Sequence, residues 1–314
     1  MEAAAAVIAR AAPDVLLLNG FDYDLDGAAL AAFAGTVEKH GRRYPHFFAF
    51  RPNTGWATGI DLDGDGRRGG PGDAQGFGRF AGQGGMALLS RLPVDLGDAA
   101  DYSGFLWRDL PGSLVAGAGL SEDALAIQRL STTGHWSVPV ALPEGGQLTL
   151  LAWHASPPVF DGPEDRNGRR NHDETAFWLR LLDGALSYDL PVGPFIIVGD
   201  ANLDPVDGDG RPEALMELLS DARVKDPVPQ SAGGAAAIAQ GGANGAQRGD
   251  PAADTADWPD DPGPGNMRVD YVLPSADLTV VAAGVWWPSP DESGAEEAAR
   301  ASRHRLVWVD IELP

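Results

Sequence analysis

Polar side chains that can carry acid–base or phosphate chemistry stand at the ends of four apolar segments of the chain. They are His154 in LLAWHASPP, Asp200 and Asn202 in IIVGDANLDP, Asp270 in RVDYVLPS and His304 in SRHRLVWV. An Asp beside a His can orient the imidazole and stabilise its charged form, which makes a general acid or base. A carboxylate beside an amide is suited to holding a water molecule or a metal-bound phosphate oxygen. Each motif alone also fits a structural role, such as a turn or a solvent-facing Asp, and the ordered set of all four favours a catalytic site.

The apolar periodicity predicts the elements that position these side chains. Strands are predicted at residues 14–19, 46–50, 85–91, 135–142, 147–154, 195–200, 267–273, 278–287 and 305–313. Helices are predicted at residues 2–12, 28–40 and 171–182, the last with Asn171 as its cap and Glu174 completing a capping box. Residues 52–82 and 231–266 are rich in Gly and Asp, and the second segment is predicted to be a long flexible loop. Consecutive late strands predict mainly antiparallel sheets with helices packed outside them.

Composition and charge narrow the class of protein. The chain has 314 residues, of which 44% are hydrophobic, and this is enough for a sizeable core in one large domain or two small ones. Its 45 acidic and 23 basic side chains give a net charge of -22. So acidic a chain repels bulk nucleic acid, and a nucleic-acid substrate would require a local basic patch or bridging metal ions. The absence of cysteine excludes disulfides, thiolate nucleophiles and cysteine-based zinc sites.

The chain carries no predicted membrane span, because no apolar stretch approaches the roughly 20 residues of a transmembrane helix. Its first residues, MEAAAAVIARAA, lack the positive start and the long apolar run of a signal peptide and are predicted to form an ordinary helix.

The motifs above, together with PDVLLLN, GQGGMALLSRLPV and WHASPPVFDGPEDRNGRRNHDE, resemble the endonuclease/exonuclease/phosphatase superfamily, and most closely its secreted bacterial members. The matching stretches span residues 13–310. The resemblance implies one domain over residues 1–314, a four-layer α/β sandwich of two mainly antiparallel sheets packed face to face with outer helices. It also implies a secreted or periplasmic hydrolase of phosphodiester or phosphomonoester bonds that uses a divalent metal. We expect a monomer, with nucleic acid among the candidate substrates.

The resemblance assigns a role to each motif residue. His154 matches the histidine that binds the scissile phosphate. Asp200 and Asn202 match the pair that positions the attacking water and steadies the phosphate. Asp270 matches the aspartate that orients the last histidine, His304. Phosphoryl transfer depends largely on positioning and on neutralisation of negative charge, and these residue types are suited to both.

Three features depart from the superfamily pattern, and all three concern the metal site. The strand DVLLLN normally ends with a metal-binding Glu, but here Asn19 is followed by Gly20. The residue before the last histidine is normally Asp, but here it is Arg303, which cannot coordinate a metal at ordinary pH. The first strand of the superfamily, with its Asn, is missing, so the chain is predicted to be N-terminally truncated and to leave a slot beside DVLLLN.

Several arrangements would compensate for these departures. Asp22 or Asp24 in GFDYD could supply the missing carboxylate. Alternatively, Asp200, Asn202 and His304 could hold Mg²⁺ or Mn²⁺ with their own oxygen and nitrogen ligands, assisted by Asp22. Arg303 could contact a substrate phosphate directly. The remaining alternative is a catalytically weakened member that binds phosphorylated ligands or a protein partner.

Two further segments offer candidate ligand groups. The loop DLDGDG at residues 61–66 has the acidic spacing of a calcium loop, which makes structural Ca²⁺ a candidate, but Gly72 stands where such a loop requires Glu. A similar stretch, DPVDGDG at residues 204–210, fits this pattern less well. The main basic cluster follows His154, and we expect it either to contact substrate or to form surface salt bridges. Its members are Arg166, Asn167, Arg169 and Arg170.

Overall fold

Ten strands form three sheets in the computed structural model, which describes residues 1–313. The strands are β1 Val15–Phe21, β2 His46–Phe48, β3 Gly85–Ser90, β4 Ala100–Asp101, β5 Gly134–Ala141, β6 Gln147–His154, β7 Phe195–Asp200, β8 Asp270–Pro274, β9 Thr279–Trp286 and β10 Leu306–Glu312. The sheet orders are β1-β3-β2, β10-β9 and β4-β5-β6-β7-β8. All neighbouring pairs are antiparallel except β6 and β7, which run parallel.

Seven α-helices accompany these strands within the described residues. They are α1 Glu2–Ala11, α2 Ala28–Lys39, α3 Glu122–Ile127, α4 Arg166–Leu182, α5 Glu213–Ser220, α6 Ala232–Ala237 and α7 Ala295–Ala301. None of them has both the length and the apolar character needed to cross a membrane.

The inner core lies between the five-stranded sheet and the sheet of β1, β3 and β2. Alternate residues of β6, among them Leu148 and Leu150, face this core and meet Met86 and Leu88 of β3. The intervening residues of β6, such as Leu151, face the opposite side of the sheet. The strand is therefore apolar on both faces, which explains why its sequence is a continuous hydrophobic run.

Helices cover the outer face of each of these two sheets. On one side, α4 packs Phe177 and Trp178 against the five-stranded sheet, with Leu215 of α5 in the same cluster. On the other side, Ile8 of α1 and Phe33 of α2 pack against the sheet of β1, β3 and β2. The layer order is helix, sheet, sheet, helix, and the predicted four-layer α/β sandwich is confirmed.

Three predicted elements differ from the structure. Helix α4 begins at Arg166, five residues before the predicted cap, and the Asn171 side chain lies inside the helix, where it bonds other loops. Strand β8 begins at Asp270 instead of at residue 267. Residues 231–266 are not one long loop, because they contain α6 and several single turns of 3₁₀-helix. Hydrogen bonds from the buried residues Asn244 and Asn266, to each other and to Gln240, connect those turns, so a polar, Gly-rich sequence is ordered without large apolar side chains.

Strand β1 is half-buried, although its sequence predicts a buried strand. Within the described residues it pairs only with β3, while β10 pairs only with β9. Between these two strands lies a cleft of about 590 Å³, lined by Leu16 and Leu18 on one side and by Leu306 and Val307 on the other. One edge of β1 therefore faces the cleft, and this accounts for its partial exposure.

Candidate active site

The register of the five-stranded sheet brings three of the predicted side chains together. Strands β6 and β7 are parallel neighbours, and His154 pairs with Asp200 at their carboxyl ends. Strand β8 runs antiparallel to β7, and its first residue, Asp270, is the partner of Asp200 on the other side. The three residues therefore form one row across the edge of the sheet, in positions fixed by backbone pairing.

The fourth predicted residue, His304, reaches this row from the segment before β10. Its Nδ1 atom lies 3.0 and 3.2 Å from the two carboxylate oxygens of Asp270 and 3.8 Å from Oδ2 of Asp200. The Thr255 hydroxyl donates a 2.9 Å hydrogen bond to the same Asp270 carboxylate, and it accepts bonds from the amides of Val269 and Asp270. Asp270 is thus fixed from behind and orients the imidazole, although 34 residues separate it from His304.

Asn202 connects two of the site loops. Its backbone amide donates to Oδ1 of Asp200 at 2.7 Å, and its side-chain amide donates to the carbonyl of Ala155 at 2.8 Å. The residue has a φ of 50°, in the left-handed region that Asn tolerates better than most residues. Because both its backbone and its side-chain nitrogen donate hydrogen bonds, Asn202 is fixed beside Asp200, and it lines the cleft.

Burial and mutual charge set the protonation of the site. Burial lowers the pKa of His304, but the carboxylates of Asp270 and Asp200 outweigh this effect and raise it to about 9. Burial and the nearby His304 charge lower the pKa of His154 to about 4. Burial and repulsion from Asp270 raise the pKa of Asp200 to about 7. At neutral pH His304 is therefore a charged imidazolium, and His154 is neutral.

The same cleft contains a set of atoms that suits a divalent cation. Asp200, Asp270 and His304 each offer one ligand atom, and these atoms lie within 4.8 Å of one another. Asn19 also lines the cleft, and its side-chain oxygen is buried without a hydrogen-bond partner. Hard oxygen donors with one imidazole nitrogen are acceptable ligands for Mg²⁺ or Mn²⁺. The oxygen atoms of Asp200, Asp270 and Asn19 therefore fit such an ion, whereas His304 would add its nitrogen only after losing its proton.

Two residues predicted to compensate for the missing metal ligands lie outside this cluster. Asp22 is exposed, and its carboxylate accepts a 2.8 Å hydrogen bond from the amide of Gly84. Arg303 is also exposed and does not line the cleft. Gly20 does line it, with a φ of +72° at a bulge between Asn19 and Phe21. The bulge explains why this strand end carries glycine, since other residues adopt that conformation at a cost.

The basic cluster at the start of α4 is engaged with the protein's own backbone. None of its members lines the cleft. Arg170 is buried, and its guanidinium donates to four backbone carbonyls. Arg166 and Arg169 also donate to carbonyls, and the Asn167 amide holds the carbonyl of Val159. The structure therefore does not bring these side chains to the catalytic row, and it gives Arg170 in particular a structural role.

The acidic loop at residues 61–66 forms a second group of carboxylates. Asp61, Asp63 and Asp65 offer atoms within 4.8 Å of one another. Both oxygens of Asp61 accept hydrogen bonds from amides of its own loop, those of Gly64 and Gly66. These bonds explain the loop conformation without an ion, and calcium binding there stays a prediction.

Two positioning residues on α4 were not recognised from the sequence. The Asn171 side chain is fully buried and donates to the carbonyls of Ser156 and Ala201, which connects the loop after His154 to the loop after Asp200. The Glu174 carboxylate accepts from the amide of Ser156 at 2.6 Å. Both residues belong to the sequence NHDE, which resembles a capping box at a helix start. In the structure their side chains instead bond residues that are distant in the sequence.

Comparisons with known proteins agree with this arrangement. A sequence profile described as the Endonuclease/Exonuclease/phosphatase family matches residues 1–304. The structure of an endonuclease/exonuclease/phosphatase from Beutenbergia cavernae DSM 12333 is 21% identical with a TM-score of 0.57, and the match covers 100% of this chain but only 66% of that one. A family protein from Leptotrichia buccalis C-1013-b is 14% identical with a TM-score of 0.53, covering 99% of this chain and 92% of that one. The human Nocturnin catalytic domain is 16% identical with a TM-score of 0.50, covering 99% and 86%. At these identities the solved structures show a shared fold. A comparison with curated proteins finds no match.

Proposed function

Because the chain belongs to the endonuclease/exonuclease/phosphatase family, whose members act on phosphoester bonds, we propose that it is a metal-dependent phosphoester hydrolase. The observation that carries this proposal is the contact between Asp270 and His304 beside Asp200 and His154 in one cleft. A phosphodiester, as in a nuclease, and a phosphomonoester, as in a phosphatase, both suit this constellation.

Each side chain has a task that follows from its surroundings. His304, held by Asp270 and positively charged, stabilises negative charge on the phosphate. His154 is neutral and offers a ring N–H to a phosphate oxygen; its Nε2 atom lies 3.5 Å from Oδ2 of Asp200. Asp200 and Asn202 orient the attacking water and accept its proton through the carboxylate. These roles need only small movements, since backbone pairing and buried hydrogen bonds already fix the side chains.

A divalent cation would be held by the oxygen atoms of Asp200, Asp270 and Asn19. His304 would add its nitrogen only after losing its proton, because an imidazolium has no free lone pair. When bound, it would supply charge neutralisation for the phosphate. We propose Mg²⁺ or Mn²⁺, because two carboxylates and one amide oxygen match the preference of these ions for oxygen ligands.

Hydrolysis of bis-(p-nitrophenyl) phosphate and of plasmid DNA, with Mg²⁺, Mn²⁺ or EDTA, tests the proposal. We expect turnover with either metal and none in EDTA. Asp200→Asn should abolish it, whereas the matched change Asp22→Asn should not, because Asp22 lies outside the cluster and an amide oxygen can still accept from Gly84. Equal rates in EDTA and in metal would contradict metal dependence, and a strong loss in Asp22→Asn would place a ligand where the structure has none.

Comparing Gly20→Glu with Gly20→Ala separates the effect of backbone strain from that of metal ligation at position 20, where the superfamily has a metal-binding Glu. A side chain there meets open space but a left-handed backbone, so Gly20→Ala and Gly20→Glu should each lose about 1–2 kcal/mol of unfolding free energy. If position 20 faces the metal, Mn²⁺ should raise the melting temperature of the Glu variant more than that of the Ala variant. Equal responses of the two variants to Mn²⁺ would show that a carboxylate at this position does not reach the ion.

One observation favours a second candidate, a weakened family member that binds phosphorylated ligands or a protein partner. Gly20 contributes no ligand to the cleft, and Arg303 lies outside it. Such a protein would bind inorganic phosphate through His154 and His304 but would hydrolyse neither substrate with any metal. Isothermal titration with phosphate, run beside the hydrolysis assay, distinguishes the two functions.

A further inference from the structure

Three large aromatic side chains are exposed on loops at the catalytic edge of the sandwich. Phe77, Phe80 and Phe160 have 67%, 51% and 89% of their surface exposed, respectively. Another exposed phenylalanine, Phe47 at 39%, lies in β2 and belongs to neither loop. Exposure of a phenylalanine ring to water is unfavourable. Several exposed rings on neighbouring loops therefore indicate a surface that contacts a ligand or partner.

The first loop, residues 76–84, is fastened to the end of β1 that carries Gly20. The amide of Tyr23 donates to the carbonyl of Gly82 at 2.8 Å, and the carboxylate of Asp22 accepts from the amide of Gly84 at 2.8 Å. Gly20 itself lines the catalytic cleft. The end of the loop, at Gly82 and Gly84, therefore lies beside the strand end that carries Gly20.

Close backbone packing holds this loop in one shape. Residues 52–55 pack directly beneath it, and the amide of Gly55 donates to the carbonyl of Gly76 at 2.9 Å. A side chain at Gly55 would stand 1.9 Å from the carbonyl oxygen of Phe80, and one at Gly78 would stand 2.5 Å from the amide of Gly55. A ligand that contacts Phe77 and Phe80 would thus meet a preorganised surface and would incur little ordering cost.

Positive charge accompanies the aromatic side chains. Arg79 is exposed between Phe77 and Phe80, and Arg51 stands over the ring of Trp56 at 4.0 Å from its centroid. Neither guanidinium has a carboxylate within 4.0 Å anywhere in residues 1–313. In a chain of net charge -22, two unpaired guanidiniums at this edge are complementary to an anionic ligand.

The second loop, which follows β6, carries the exposed Phe160. It follows His154, and its Pro157 lines the cleft. Phe160 has a φ of 70°, which is unfavourable for a bulky residue, and Asn167 fixes the preceding carbonyl of Val159 at 2.7 Å. The strained backbone is thus held by a partly buried hydrogen bond while the aromatic ring stays in solvent, a combination typical of ligand-binding loops.

We propose that Phe77, Arg79 and Phe80, together with Phe160 of the second loop, form a stacking subsite for unpaired nucleobases next to the scissile phosphate. The phenylalanine rings would stack on bases, and the guanidinium of Arg79 would contact a neighbouring phosphate. This proposal rests on the proposed phosphoester hydrolase function and narrows its substrate class to single-stranded nucleic acid or its short fragments.

Charge favours this occupant over a membrane or a duplex. Adsorption to anionic lipid usually requires a cluster of basic residues, and the net charge of -22 opposes it. Duplex binding likewise depends on many phosphate contacts. Stacking acts at short range and needs only one or two phosphate contacts, so it suits an acidic protein in which Arg51 and Arg79 lie near the exposed rings.

Fluorescence anisotropy in EDTA measures binding without hydrolysis. The probes are a short labelled oligothymidylate, an oligouridylate, an abasic strand of the same length and a duplex. We expect the two base-bearing single strands to bind more tightly than the abasic strand and the duplex. Phe77→Ala with Phe80→Ala should weaken binding of the base-bearing strands by at least 10-fold and leave the abasic strand unaffected. Arg79→Ala should weaken all single strands equally, and the matched control Phe47→Ala should change none.

Three results would overturn the subsite. They are equal affinity for base-bearing and abasic strands, an unchanged affinity in the double Phe variant, and base-independent binding to phosphatidylglycerol vesicles that the double variant loses, which would assign the surface to membranes. The stacking subsite and the hydrolase function are contradicted by different results. Hydrolysis of bis-(p-nitrophenyl) phosphate without base-dependent binding removes only the subsite, whereas base-dependent binding without metal-dependent hydrolysis removes only the hydrolase function.

Discussion

His304→Gln is expected to lower kcat/KM for bis-(p-nitrophenyl) phosphate by between about 100-fold and 10,000-fold. Among residues 1–313 the imidazolium is the only positively charged side chain in contact with the carboxylates of Asp200 and Asp270, and glutamine keeps its size but not its charge. His46→Gln is the matched control, since His46 lies in β2, away from the cleft. Circular dichroism should show both variants folded, so that the loss reports on chemistry. A folded His304→Gln variant with parental kcat/KM would remove His304 from the mechanism.

The substitution Asp270→Asn tests the interaction between Asp270 and His304 through the pKa of His304. Asp270 is the main group that raises the pKa of His304 to about 9, against the lowering effect of burial. Without its charge the pKa should fall, and His304 should lose its proton at a lower pH than in the parent. NMR titration of the imidazole in EDTA measures this directly, and the basic limb of the pH–rate profile should move to lower pH with it. An unchanged pKa would mean that Asp270 does not orient or charge His304.

The placement of His154, Asp200 and Asp270 in one row could be predicted from the sequence because it depends on strand ends. An apolar run that stops at a His or Asp is a local signal, and the pairing of His154 with Asp200 and of Asp200 with Asp270 follows once β6, β7 and β8 are neighbours. The contact of His304 with Asp270 spans 34 residues, so no local pattern predicts it. It was expected only from the resemblance to a family.

The supporting residues could not be predicted, since their partners are distant in the chain. Asn171 and Glu174 fit a local capping box, but in the structure they bond loops that precede α4 or follow β7. The order within residues 231–266 was missed for a related reason. Buried amides such as Asn244 and Asn266 hold that segment, and a sequence pattern does not distinguish such amides from those of a solvated loop.

Charge alone does not predict what the basic cluster at the start of α4 contacts. An arginine-rich segment that follows a histidine expected to bind phosphate suggests substrate contact, and Arg170 is its most buried member. The guanidinium of Arg170 donates hydrogen bonds from Nε and Nη2 to fixed backbone acceptors. These acceptors are the carbonyls of Gln75, Arg129, Leu130 and Ser131. Burial lowers the pKa of Arg170 only to about 10, so it remains charged at neutral pH.

Arg170→Leu is accordingly expected to destabilise the fold by about 3–5 kcal/mol without a specific loss of substrate affinity. Four backbone carbonyls would each lose a donor, and Leu130 would lose the 2.7 Å bond from Nε with no replacement among the described residues. Glu174 would also lose a cation that lowers its pKa against the raising effect of burial. Arg169→Leu is the matched control, with one carbonyl bond and a half-buried side chain, and should lose about 1 kcal/mol or less.

Urea denaturation of the parent and both variants measures the unfolding free energies, and KM for bis-(p-nitrophenyl) phosphate is compared at a temperature where all three are folded. We expect a large loss of stability and an unchanged KM in Arg170→Leu. Arg170→Lys adds a second comparison, because lysine keeps the charge but cannot reproduce the planar fork, and it should recover only part of the lost stability. Parental stability in Arg170→Leu together with a raised KM would instead place Arg170 at the substrate. That result would restore the role that the sequence suggests and would contradict the four carbonyl bonds.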